Sequence, residues 1–181
     1  VELTREEDLG RRLFFSQQFT NCADCHKLSE NAMDPQETFS DYLYHNIGVP
    51  KNEGLRARNG VGPDFIDLGL GGPDALDRAN EQGKFRTPTL RNVAITAPYM
   101  HNGVFEDLRT VILFCDAYDT RSEARKINPE TGKPFGPPAV PDTVAQDMLE
   151  VGPALEDNRI DALVAFLETL TDTRYEHLLE D

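Results

Sequence analysis

The residues with the clearest chemical capacity are Cys22-Ala23-Asp24-Cys25-His26. Two thiols three positions apart on one helical turn can form thioethers to the two vinyl groups of a single porphyrin. The adjacent imidazole then reaches the iron as its proximal ligand. Cys-x-x-Cys-His in this sense is a c-type haem attachment site. Two other chemistries use the same thiol spacing. A thioredoxin-like redox pair expects a βαβ surrounding, which is not readable here. A structural zinc site expects four ligands, with a second pair at short spacing. The remaining candidates, Cys115, His45, His101 and His177, lie far apart along the chain. His177, near the acidic C-terminal end, reads as a surface residue.

These residues need elements to position them. Thr4-Arg5-Glu6-Glu7 has the form of a capping box, and Leu9, Leu13 and Phe14 follow at helical spacing, so a helix is expected over 5–15. Residues 27–85 carry little periodicity and many Gly and Pro. Such a long irregular stretch needs something to wrap around. Asp107 is placed to cap a helix running to about Tyr118, with Leu108, Val111, Ile112 and Cys115 as its apolar face. Residues 128–142 form a proline-rich loop. A last helix is capped by Asn158, with Ile160, Leu163, Val164, Leu167 and Leu170 as its buried stripe. No run alternates with period two and no internal repeat is present. The expected fold is mostly α, a cytochrome c-like helical domain with long loops wrapped around one covalently attached haem.

Composition narrows the function classes. The chain of 181 residues suits one domain spanning 1–181, and its 39% hydrophobic content argues against disorder. A net charge of −14 disfavours nucleic acid and anionic lipid. No apolar run approaches the roughly 18 residues of a membrane span. There is no Trp, and the three Cys cannot all be paired within the chain. No basic, apolar and small-residue order of a signal peptide is visible, so an exported protein would be numbered here from a mature or truncated end.

A second block sharpens the reading. Phe85-Arg86-Thr87-Pro88-Thr89-Leu90-Arg91-Asn92 continues into Pro98-Tyr99-Met100-His101-Asn102-Gly103. With Leu13-Phe14, Tyr44-His45-Asn46-Ile47-Gly48-Val49, the 128–141 loop and Ala162–Leu167, it resembles the bacterial di-haem cytochrome c peroxidases and their MauG-like relatives over nearly the whole chain. The resemblance is to the C-terminal domain, which holds the electron-transfer haem. It implies that the family's N-terminal, peroxidatic haem domain is absent from this chain, and the lack of Trp agrees with loss of the family's inter-haem bridge.

The sixth iron ligand stays open among several residues. Met33, Met100 and Met148 are the methionines; Met100, in Pro-Tyr-Met-His, is the tempting one, because Met with His raises the potential. The resemblance implies a distal ligand 14 residues after His101, which is Cys115. The alternatives are Cys115 as a small core residue and an open or water-filled position. Arg86 and Arg91 are candidate propionate partners, since a guanidinium pairs well with a carboxylate; the competing view is surface charge. His45 and His101 are either propionate donors or satisfied core or loop histidines. By resemblance, the carbonyls of Thr96 and Pro98 would serve a Ca²⁺ ion only if a partner domain supplies the remaining ligands.

The function these observations suggest is a periplasmic monohaem c-type cytochrome passing single electrons to or from a basic redox protein. The alternative is a part of a di-haem peroxidase or MauG-like oxidase reducing hydrogen peroxide, completed by a missing haem domain or second subunit. Whether the chain is itself an enzyme stays open, because the family's peroxidatic acid and base residues belong to the absent domain.

Overall fold

The computed structural model describes residues 2–29, 37–72 and 78–179. Helix α1, Arg5–Phe14, begins as its sequence dictates: Thr4 Oγ1 accepts from the Glu7 N–H at 3.3 Å, and the Glu7 carboxylate accepts from the Thr4 N–H at 2.6 Å. Asp8 near its start and Arg11 and Arg12 at its end match the helix dipole. Later in the chain come α2 (Cys22–Cys25), α3 (Glu53–Asn59), α4 (Leu108–Asp116), α5 (Gln146–Leu149) and α6 (Asp157–Glu168).

The core is built where α1 lies against α6. The approach is so close that a Cβ on Gly10 would stand 1.8 Å from the Ala162 carbonyl oxygen. Phe14 packs on Phe166 with ring centroids 5.3 Å apart and reaches Phe39 at 6.2 Å. Ile160, Ala162, Leu163, Phe166 and Leu167 of α6 are buried, as is Leu170 just beyond it. The expected stripe is therefore confirmed at Ile160, Leu163, Leu167 and Leu170. Val164 is only half-buried, and Ala162 and Phe166 complete the face. Asn158 is not the cap: α6 begins one residue earlier, at Asp157, with Glu156 extended at the N-cap and making no side-chain cap bond.

Helix α4 is capped by Asp107, whose carboxylate accepts from the Arg109 N–H at 2.6 Å. Its deepest face differs from the expected one. Thr110, Leu113 and Phe114 are buried with Leu108, whereas Val111, Ile112 and Cys115 are half-buried. The stretch Val111-Ile112-Leu113-Phe114-Cys115 is apolar on more than one face, so periodicity alone does not choose which face the core takes. Phe114 and Phe105 (5.2 Å) and Phe114 and Phe135 (5.5 Å) form a second aromatic cluster.

Strands are short. β1 (Tyr44–His45) pairs antiparallel with β2 (Phe85–Arg86), placing His45 opposite Phe85, and β3 (Ile127–Asn128) pairs with β4 (Lys133–Pro134). The protein is thus helix-rich with few strands, as expected. No helix among the described residues is long and apolar enough to cross a membrane.

Candidate haem-attachment site

Helix α2 is a single turn that carries the motif. No side chain caps it and none of its residues is buried, so local propensity contributes little to holding it. Its neighbours hold it instead. The Asn21 side-chain amide donates to the Met148 carbonyl of α5, the His26 N–H donates to the Cys22 carbonyl at 2.9 Å, and the Asp41 N–H donates to the Cys25 carbonyl at 2.8 Å. Cys22 and Cys25 are both half-buried free thiols. Burial pushes the Cys22 thiol up, and pushes Cys25 up to about 11 with help from the nearby Asp41 and Asp24 charges.

His26 Nδ1 lies 2.9 Å from the Phe39 carbonyl oxygen. A carbonyl can only accept, so Nδ1 carries the proton and Nε2 is the atom with a free lone pair. Burial lowers the His26 pKa, against the hydrogen bonds to the Phe39 and Pro88 backbones that favour the charged form, so the neutral ring is favoured. Two free thiols on one turn and a neutral imidazole fixed through Nδ1 fit a covalently attached haem: Cys22 and Cys25 would hold the porphyrin and His26 Nε2 the iron.

Cys115 is half-buried on α4. Its thiol is pushed up to about 12, mainly by burial, with Cys22 and Cys25 close enough to add to the shift. Cys22 and Cys115, far apart in sequence, both pack against the same core cluster. Met100 is half-buried in a turn with φ +69°, and Met148 is half-buried in α5. Met33 lies outside the described residues.

His45 Nε2 meets Asp41 Oδ2 at 2.9 Å. Burial alone would raise the Asp41 pKa, but its bonds to His45 and to the Leu43 N–H outweigh that and hold it below the usual value. Ligand-type atoms of Cys25, Asp41 and His45 lie within 4.8 Å of one another, so the Asp41–His45 pair stands beside the attachment turn. His101 is exposed overall, but its ring stacks flat on Phe85 at 3.4 Å between centroids, and the loss of water around the ring lowers its pKa to about 4. The guanidinium of Arg86 is 4.9 Å from the Tyr42 ring centroid. Arg91 is engaged more deeply: its Nε donates to the Glu37 carbonyl at 2.6 Å and its guanidinium lies 5.5 Å from the Phe39 ring centroid. Thr96 and Pro98 are exposed, and His177 is exposed as expected.

Phe39 and Asp41 are functional neighbours that sequence reasoning missed. For Asp41 the i,i+4 spacing to His45 was a signal, though one ordinarily used on helices. Phe39 had none, because its part is played by a backbone carbonyl.

The helical framework and the His26-centred donor set fit a c-type haem. No family model matches the chain. Its homologues are members of the MauG and di-haem cytochrome-c peroxidase family. It is 48% identical over 180 residues to the methylamine utilization protein MauG of Paracoccus denitrificans, covering 99% of this chain and 46% of that protein. It is 33% identical over 129 residues to the cytochrome-c peroxidase IdrP2 of a Pseudomonas species, covering 62% of this chain and 32% of that one. Among solved structures, the dihaem peroxidase BthA of Burkholderia thailandensis superposes with a TM-score of 0.73 at 35% identity, over 97% of this chain and 44% of that one. The resemblance read in the sequence is confirmed at the level of the family. The chain spans less than half the length of these relatives, and the homology supports a haem-protein role related to electron transfer.

Proposed function

We propose that this chain is a one-haem, single-electron-transfer module, with haem c attached through Cys22 and Cys25 and ligated by His26. The observation that carries the reading is the His26 ring, held through Nδ1 by the Phe39 carbonyl so that Nε2 is the coordinating atom. Bound there, the iron would supply a one-electron ferric–ferrous couple. Cys115 is the proposed distal ligand, with Met100 the competing one; both pack against the core cluster that Cys22 also borders. Arg86, His45 and His101 are proposed to line the haem surroundings. Covalent attachment of this kind occurs outside the bacterial cytoplasm, which supports a periplasmic location. The net charge of −14 suits a basic redox partner, whose encounter rate would fall with added salt.

Intact-mass measurement tests the attachment: 20.3 kDa plus one haem is expected, and an unmodified Cys22 and Cys25 would overturn it. Oxidised and reduced optical spectra test the distal side. Cys115→Ala should alter them if sulfur ligates the iron, and a methionine–iron charge-transfer band would transfer the role to Met100.

A second reading is favoured by length. Because the chain spans less than half of its relatives, it would serve as the electron-entry part of a di-haem peroxidase or MauG-like oxidase. Ca²⁺ would then bind at the Thr96 and Pro98 carbonyls only with ligands from a partner domain. Hydrogen peroxide turnover by the isolated chain, or tight calcium binding in calorimetry, would contradict this division of labour.

A further inference from the structure

The segment between the attachment turn and β1 contains a strained backbone. Phe39 has φ +55°, a left-handed conformation without glycine's freedom, and such strain persists only where the surroundings over-determine it. Here they do. Arg91 Nε donates to the Glu37 carbonyl at 2.6 Å, and its guanidinium faces the Phe39 ring. Thr89 Oγ1 and the Leu90 N–H both donate to the Thr38 carbonyl, at 2.8 and 3.2 Å. Ser40 Oγ donates to the Thr87 carbonyl at 2.8 Å, and the Asp41 N–H donates to the Cys25 carbonyl at 2.8 Å. Residues 37–41 are thus clamped between 87–91 on one side and the attachment turn on the other, and the Phe39 carbonyl, which meets His26 Nδ1, lies inside this clamped segment next to the gripped carbonyls of Glu37 and Thr38.

We infer that Arg91 is a positioning residue for His26. Gripping Glu37 and Phe39, it holds the left-handed turn whose carbonyl orients the imidazole and strengthens it as a donor to iron. The inference rests on the proposed ligation by His26, and it gives Arg91 a different role from that of a propionate partner. A stronger Nδ1–H···O bond makes imidazole a better donor and favours the ferric state. Loosening the clamp should therefore raise the reduction potential.

The test uses the haem-loaded chain, after its mass has shown the attachment, and two substitutions that leave the charge at the site unchanged. Arg91→Lys keeps the cation but loses the planar fork, and Thr89→Val removes one brace at an exposed position. The expected result is an upward shift in potential, larger for Arg91→Lys. The His26 Nδ1–H resonance of the reduced protein should move upfield with it. A propionate role for Arg91 predicts no upfield movement of that resonance for Arg91→Lys and none for Thr89→Val. Wild-type potential and resonance in both variants would overturn the inference. In the haem-free chain, ¹⁵N spectra of the ring read the clamp independently, because Arg91→Lys should shift the His26 tautomer population toward a proton on Nε2. An unchanged tautomer there would count against the clamp itself, whereas a wild-type chain without attached haem would count only against the electron-transfer reading.

Discussion

The α1–α6 pair and the attachment side of the molecule are held by different forces. In the helix pair, stability comes from shape: a glycine lets two backbones touch, and Phe14, Phe166, Ile160 and Leu163 fill the space around the contact. The loop-rich part of the chain, which includes α2, has little regular structure, and its polar side chains bond to distant backbone. Asn46 Nδ2 donates to the Val140 carbonyl and to Thr143 Oγ1, both at 2.8 Å, while its Oδ1 accepts from the Gly48 N–H at 2.9 Å. Asn102 Nδ2 donates to the Pro50 carbonyl, and Asn52 Nδ2 to the carbonyls of Asn102 and Gly103. Packing tolerates sequence drift if volume is kept. A hydrogen-bonded loop depends on single atoms, but in return can present a backbone carbonyl or a ring nitrogen at a chosen point.

The largest effect should come from breaking the packed side. Gly10→Ala would drive a methyl group into the Ala162 carbonyl and force the helices apart, at a cost of about 3 kcal/mol or more in urea unfolding. A wild-type midpoint would show that the helix pair is not the main support. Asn46→Ala should cost about 2 kcal/mol by leaving buried backbone partners unbonded. Its hydrogen-exchange signature should be confined to residues 46–50 and 138–145, with α1 and α6 amides unchanged; uniform loss of protection would erase the contrast between the two sides. Thr4→Ala removes half of the capping box and should lower stability by about 1 kcal/mol in thermal unfolding.

A last effect, similar in size to that of the cap, is pH-dependent. Burial, with Asp116 close by, raises Asp119 to about 6, above its ordinary 3.8. A carboxyl raised on folding binds its proton more tightly in the native state, so it destabilises the fold progressively as pH rises through this window. Asp119→Asn should therefore stabilise the protein at pH 7 by about 1 kcal/mol after allowance for solvent screening and leave it unchanged near pH 3. Denaturation at the two pH values would check this, and a gain of equal size at both would reject the assignment.

Much of this organisation was readable one residue at a time. The Thr4–Glu7 box, the Asp107 cap and most of the α6 stripe follow from local chemistry, because a cap or an amphipathic face involves residues within a turn or two of one another. Asn158 misled because a good capping residue is also tolerated inside the first turn, and the entering chain, extended at Glu156, decided where the helix began. The α4 face was misassigned because its apolar residues cover more than one side. The inward side carries Phe114, which packs on Phe105 just before the helix and on Phe135 well beyond it.

The sequence by itself determined the donor types and their spacing: two thiols and an imidazole on one turn, with a third thiol and a pair of arginines far downstream. Covalent order is enough for that, since Cys22, Cys25 and His26 cannot be far apart in any fold. Only the tertiary structure decided which nitrogen of His26 is engaged, that Asp41 and His45 pair beside Cys25, and that Arg91 grips residues 37–39. Those outcomes depend on a carbonyl turned by a positive φ and on contacts spanning some fifty residues, and neither leaves a periodic or compositional trace.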